Sequence, residues 1–486
     1  MLQKQPSELA LLCEEFRKNN HIEPAQFEQY QVKRGLRNPD GTGVMAGLTH
    51  ICNVHGYLIA DGEKIPDEGR LTYRGINVKD IVDGCTRENR FGYEEVAWLL
   101  LFGTQPTREQ LEKFNRILSS YRELPEYFAE DMIIKAPSKD IMNKLGRSVL
   151  ALYSYDSNPD ETSLENIMRQ SISLIARMPT IMTYAYQVKR RHYDKKSMYF
   201  HPIKPEHSTA ESILRSIRPD KKFNDEEAKL LDLLMIIHAE HGGGNNSTFT
   251  THVVTSSGTD TYSCMAAALA SLKGPKHGGA NSTFTTRVLS SSGTDTYAAI
   301  SAAIGSLKGP KHGGANHRVM QMMECVKEKV KDWKDEDEVE AFLEKIVRKE
   351  EGDHSGLIYG QGHAIYTLSD PRAVILKTHA QRLAKEKGMD DEFALYQLVE
   401  KLAPKAFLNV KGDKKVISAN VDFYSGLVYK MLGLPEDLYT PMFAVSRIAG
   451  WCAHRIEEVE TSNRIIRPAY KSLVDSQKYI PLDERK

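Results

Sequence analysis

The residues able to do chemistry sit in a few short segments where a titratable side chain lies beside glycine or opens a helix. His241 is in HAEHGGGN, His363 in GQGHAIY and Asp422 in NVDFYSG. A GPKHGGA segment occurs twice, giving His277 and His312 one and the same local environment. Arg372 follows His363 by nine residues in DPR, Arg447 lies in VSRIAGW, and Arg467 in IIRP. Histidine and aspartate move protons, and the guanidinium fork suits carboxylates. Each residue also has an ordinary structural use. A histidine beside glycine is commonly a loop residue with its hydrogen bond satisfied, Asp422 is a natural helix N-cap, and an arginine within a helix usually marks a solvated face. Their setting favours chemistry, because glycine lets the backbone approach a ligand and helix N-termini attract anions.

Several other chemistries are poorly supported. The HGGG at His241–Gly244 suggests an oxyanion loop, but no GxSxG elbow accompanies it. His238 and His241 are three apart, which is not the HExxH spacing of zinc peptidases. Neither a P-loop nor a GxGxxG fingerprint is found, and no metal cluster of convincing spacing stands out, so no metal ligands are assigned. Lys+Arg and Asp+Glu are equal at 65 each in the 486 residues, so no global field favours nucleic acid or an anionic membrane. The six cysteines are scattered without a CxxC pair, which fits a reducing compartment. The N-terminus lacks a secretory pattern, and the apolar runs are far shorter than the ~18 residues of a spanning helix. A soluble, cytoplasmic protein is expected.

The elements that must position these residues read as helices almost throughout. Helical signals cover residues 7–19, then 93–102 with Gly103 as C-cap, 108–121, 138–153, 163–191, 210–215 and 224–238. They resume at 317–333, run on to 351, and continue at 370–387, 391–403, 422–432 and 440–459. Only residues 43–75 are rich in glycine, β-branched and aromatic residues, predicting short strands with turns at Asp61-Gly62 and Glu68-Gly69. The fold class is mostly α, with a short β or extended segment near the N-terminus.

Residues 246–280 and 281–315 form a tandem duplication in which about three positions in four are identical. In each copy polar sequence precedes an Ala-rich helical stretch and the GPKHGGA turn. Two copies are too few for a solenoid, so the block reads as a doubled segment within a larger fold.

The order of these segments resembles the citrate synthase family, closest to its bacterial type. AGLTHICNVHGYL, LTYRGI, FGYEEVAWLLLFGTQPT, HAEHGGGN, SLKGPKHGGAN, GQGHAIYTLSDPR, NVDFYSGLVYKMLGLP and VSRIAGWCAHRIEE carry the likeness, from about residue 35 to 470. The resemblance implies condensation of acetyl-CoA with oxaloacetate and hydrolysis of citryl-CoA, by Asp/His acid–base catalysis without metal. It assigns Asp422 as base, His312 as the group that steadies the enolate, and His363 as the group that polarises the oxaloacetate carbonyl. His241, Arg372 and Arg447 would bind the substrate, and Arg467 would reach the neighbouring subunit's site in a homodimer. No cofactor is implied, acetyl-CoA being a co-substrate. The implied domains are a large helical one over 1–316, a small one over 317–428 that closes on the site, and a return with a dimer arm over 429–486. His312 is preferred over His277 because it continues directly into ANHRVMQMM. In an alternative, copy one fills the native site and the surplus loops out after it. Where many members have Asp-His-Glu, this chain has Glu240-His241-Gly242. Alternative functions are a 2-methylcitrate synthase using propionyl-CoA, or an inactive relative disabled by the duplication.

Overall fold

The computed structural model describes residues 22–38, 42–61, 63–273, 315–363, 365–412, 417–461, 464–466, 468 and 473. They fall into two units, Met1–Leu48 and Thr49–Lys486. The first holds helix α1 (Pro24–Gln29), a 3-10 turn at Arg34–Leu36, and a bridge between Arg37 and Gly43. The helix expected at 7–19 lies outside the described residues.

The second unit opens with an antiparallel sheet of β1 (Cys52–Ala60), β2 (Glu63–Tyr73) and β3 (Ile76–Asn77), paired in sequence order. The turn at Asp61 is where expected. The expected turn at Glu68-Gly69 is instead inside β2. A Cβ on Gly69 would stand 2.1 Å from the Ser369 carbonyl oxygen, and one on Gly56 would stand 2.7 Å from Tyr366 Cα. These two glycines let the hairpin dock on the loop that follows His363, a contact some 300 residues distant in sequence.

Helices α2 (Val78–Arg87), α3 (Tyr93–Phe102), α4 (Arg108–Tyr121), α5 (Ile141–Ala151), α6 (Leu164–His192), α7 (Thr209–Ile217) and α8 (Asp225–His238) follow. Thr107, Ser208 and Asn224 build capping boxes that satisfy first-turn N–H groups, which is why these starts are sharp in the sequence. The first copy of the duplication forms α9 (Asn246–Thr255) and α10 (Thr261–Lys273). Its polar part is therefore helical. Ser247, Thr248 and Thr251 are buried, and Ser247 Oγ accepts from Trp451 Nε1 at 3.1 Å.

The chain is next described at α11 (Ala315–Lys329), then α12 (Glu336–Val347), α13 (Pro371–Glu386), α14 (Asp390–Lys411), α15 (Val421–Met431) and α16 (Tyr439–Thr461). Helix α14 runs through Pro404 rather than stopping at Ala403 as expected. Leu402, Ala403 and Ala406 are buried, so tertiary packing offsets the lost backbone bond. Helix α16 is the central strut: Val445, Ile448, Ala449, Trp451 and Cys452 are fully buried, and it packs on α3, α6, α8, α9 and α10. The fold is mostly helical, as the sequence implies. No described helix is long and apolar enough to cross a membrane.

Candidate active site

Two loops and three helices deliver the site. Helix α8 ends at His238, and Glu240 and His241 follow in the Gly-rich turn. Tyr73 of β2 holds that turn, its hydroxyl donating to the carbonyls of Ile236 (3.0 Å) and Glu240 (3.2 Å). The GQGH loop and the segment before α15 are laced together. Gly362 N–H donates to the Ser418 carbonyl (2.7 Å), Asn420 N–H to the Gly360 carbonyl (2.8 Å), and Asn420 Nδ2 to the Gly362 carbonyl (2.9 Å). Asn420 also caps α15 by accepting from Asp422 N–H at 3.0 Å. One asparagine thus fixes the loop of His363 and the helix start of Asp422 together.

His363 meets His241 edge to face, with ring centres 5.1 Å apart, and stacks on Tyr366 at 4.6 Å. Its Nδ1 accepts from the backbone N–H of Ile365 (3.1 Å) and of Tyr366 (3.2 Å). With Nδ1 accepting, the neutral ring carries its proton on Nε2. Burial, reinforced by Arg372, lowers the His363 pKa to about 4, so this neutral donor form dominates at pH 7. Burial, with Arg372, His363 and Arg447 in support, likewise drives His241 well below the usual imidazole range. His241 Nε2 is buried and has no partner.

The two arginines differ. Arg372 is clamped by Asp370, donating from Nε to Oδ1 at 3.1 Å and from Nη2 to Oδ2 at 2.8 Å. Burial opposes its charge, but the Asp370 pair more than offsets this and raises its pKa. Asp370 also accepts from Val421 N–H at 3.2 Å, tying α13 to α15. Arg447 is fully buried on α16; its Nε donates to the His238 carbonyl at 2.7 Å, while Nη1 and Nη2 have no partner. An unpaired buried guanidinium is costly. Those open N–H groups define a place for an anion.

Asp422 faces this cationic ground. Burial pushes its carboxyl up to about 6, with Arg372 pulling it down and Asp370 adding to the rise. A carboxyl poised near neutrality is suited to general-base work. The structure therefore brings together five expected residues: His241, His363, Arg372, Asp422 and Arg447, the field of Arg372 reaching His241, His363, Asp422 and Arg447. His277, His312 and Arg467 lie outside the described residues. Among the described residues, no group of three or more His, Cys, Asp or Glu is placed to hold a metal.

His238 escaped the sequence reading as a site residue. It is buried, its Nδ1 has no partner, and burial with Arg372 and Arg447 drives its pKa well below the ordinary value. Its signal in the sequence is the three-residue spacing from His241.

A buried carboxyl held near neutrality, neutral imidazoles and an open guanidinium, set in a helical body, suit acid–base chemistry on a small anion. The family model described as citrate synthase, C-terminal domain, matches residues 40–282 and again 280–469. The two matches meet where the first copy of the duplication ends. A citrate synthase of Synechocystis is 30% identical over 447 residues, covering 91% of this chain and 92% of its own. A 2-methylcitrate synthase of Shewanella oneidensis is 31% identical, covering 85% of this chain and 92% of its own. Among solved structures, a citrate synthase from Thermoplasma acidophilum in ternary complex with carboxymethyl coenzyme A and oxaloacetate is similar at TM-score 0.70 and 26% identity. It covers 93% of this chain and 99% of that one. The chain belongs to the citrate synthase family, and is an acyltransferase of that type.

Proposed function

We propose that this chain condenses acetyl-CoA with oxaloacetate and hydrolyses the resulting citryl-CoA to citrate and CoA. The observation that carries the reading is the convergence of Asp422, lifted to about 6, with the unpaired guanidinium of Arg447 and the Nε2–H of His363. In this reading Arg447, Arg372 and His241 hold the oxaloacetate carboxylates. His363 donates to the ketone oxygen and polarises its carbon. Asp422 removes a proton from the acetyl methyl group, and the carbon left behind attacks that ketone. His312 hydrogen-bonds the thioester oxygen as charge develops there.

The remaining parts of the proposal follow the family likeness. Residues 317–428 form a small domain that closes over the site, with 1–316 and 429–486 forming the large one. The active unit is a homodimer to which Arg467 contributes across the interface. The enzyme works in the cytoplasm, with acetyl-CoA as co-substrate and no resident cofactor. A second reading, 2-methylcitrate synthesis from propionyl-CoA, is supported by the similarity to the Shewanella protein. Initial rates of CoA thiol release with acetyl-CoA and with propionyl-CoA separate the two. The faster acyl donor identifies the activity, and no release with either, from folded protein, overturns both. His312→Ala abolishes release and His277→Ala preserves it; the reverse pattern would reassign the histidine.

A further inference from the structure

Behind the substrate face of His241, the buried His454 and the half-buried His252 join it to Glu458 of helix α16. The backbone N–H of His241 donates to Glu240 Oε1 at 2.8 Å, and Glu240 is fully buried. The same Oε1 lies 3.3 Å from Nε2 of the fully buried His454, an ion-pair contact rather than a well-aligned hydrogen bond. His454 Nδ1 is 3.1 Å from His252 Nε2, and His252 Nδ1 is 2.7 Å from Glu458 Oε2. The turn after His241 lies on both rings: a Cβ on Gly243 would be 3.5 Å from His454 Cε1 and 3.6 Å from His252 Nε2.

Counting protons along this chain gives a result that neither ring gives alone. Both ends are carboxylates, which only accept. The hydrogen bonds Glu458–His252 and His252–His454 need one proton each, and the 3.3 Å approach of His454 Nε2 to the Glu240 carboxylate is favourable only with a third on that nitrogen. Two neutral imidazoles carry two. A neutral His454 that donated to His252 would turn a bare nitrogen toward the Glu240 carboxylate, in a buried setting where that repulsion is strong.

We infer that His252 and His454 share one additional proton, and that this proton, acting through Glu240, positions His241 for substrate. The other charges facing the pair are consistent with one extra proton and not two. Glu457 lies 3.9 Å from His454 Nδ1 and is itself engaged by His50, whose backbone N–H donates to it at 2.8 Å. Arg447 acts on Glu240 from the substrate side, and Arg455 of α16 is spent on Thr255, Thr259 and Thr261. Burial, with the neighbouring His454, holds His252 below the ordinary imidazole range against the pull of Glu458. Burial alone would raise the Glu240 pKa, but His454 and Arg447 outweigh it and leave Glu240 ionised. Loss of the shared proton breaks one link and frees Glu240 from His454.

The duplication supplies the discriminating variant. The position of His252 in the first copy is occupied by Arg287 in the second. An arginine here donates to Glu458 and to His454 Nδ1 without titrating, which leaves His454 neutral with its Nε2–H toward Glu240. His252→Arg therefore keeps every link at all pH values, whereas His252→Gln removes the shared charge.

The inference rests on the reading that His241 contacts oxaloacetate, and the test has an arm that does not. In folded full-length protein with 15N-labelled histidine, the two rings together lose one proton in a single step as pH rises. The His241 resonance moves in His252→Gln and returns in His252→Arg. Two independent titrations, or two rings neutral from pH 5 to 9, overturn the shared proton whether or not the protein turns over. In kinetics, His252→Gln raises KM for oxaloacetate about tenfold, with kcat and KM for the acyl-CoA changed less than about twofold. His252→Arg restores KM and flattens its alkaline rise. Equal behaviour of the two variants overturns the positioning role. Absence of turnover in the parent protein, with the NMR result as predicted, overturns the assigned reaction and not the shared proton.

Discussion

Replacing Asp422 by asparagine should destroy the activity and strengthen the fold, and the second effect can be worked from the structure. The carboxyl is shifted from 3.8 to about 6, chiefly by burial, against the opposing pull of Arg372. Between those values the folded chain binds the proton more tightly than the unfolded chain does. The stability this gives is fully present below about pH 4 and is lost as pH rises through about 6. A shift of this size corresponds to about 3 kcal/mol above both values, since each unit is ~1.4 kcal/mol. Asparagine keeps the shape and cannot ionise. At pH 8 Asp422→Asn is therefore more stable than the parent by about 2–3 kcal/mol, and at pH 4 the two are nearly equal. For a chain of this size, with an unfolding entropy of ~2 cal/mol/K per residue, the pH 8 gain appears as a Tm increase of about 3 °C. Turnover falls by about 10²–10⁴-fold. Thermal unfolding of both proteins across pH 4–8 checks the argument. A variant less stable at pH 8, or a difference unchanged between pH 4 and pH 8, would refute it.

Other outcomes follow from the same geometry. The pH–rate profile of the parent should fall on its acid side through about 6, leaving about a tenth of the base form at pH 5. Oxaloacetate at about a hundredfold over its Kd should stabilise the parent by ~3 kcal/mol. Arg447→Leu should abolish that gain, as read by thermal shift, because the open Nη groups are removed. His363→Ala should lower kcat by about 10²–10³-fold, with a smaller change in KM, since its Nε2–H acts where charge develops. Gly450→Ala should cost about 1–3 kcal/mol in denaturant unfolding and raise KM for oxaloacetate. The new Cβ would lie 2.0 Å from Glu240 Oε2 and 2.6 Å from the Ala239 carbonyl.

Much of this architecture is legible in the sequence because its signals are local. Thr107, Ser208 and Asn224 announce helix starts through their own side chains, and Gly103 ends α3 where the pattern says it should. The motif residues His241, His363, Arg372, Asp422 and Arg447 are conspicuous because glycine, proline or a helix start surrounds them. What escapes is set by partners far away in the chain. Gly69 looks like a turn residue until Ser369 is seen against it, and Pro404 looks like a stop until its neighbours are seen buried. The polar NSTFTT stretch does not look like a core helix, because its hydroxyls find Trp451 and the α9 carbonyls only in the fold. Glu240 stands as a departure from the family pattern, and nothing local in HAEH reveals His454 more than 200 residues on. His238 is hidden for a related reason: a histidine closing an apolar helix reads as core, and only the charges of Arg372 and Arg447 acting on it give it another meaning.

The central claim is that this site forms a carbon–carbon bond between acetyl-CoA and oxaloacetate with Asp422 as base. Its most direct test is to incubate the full chain with both substrates and measure free CoA thiol and citrate together. The account predicts thiol and citrate in equal amounts, requiring both substrates, and neither product from Asp422→Asn. Thiol without citrate, or undiminished citrate from Asp422→Asn, would contradict it.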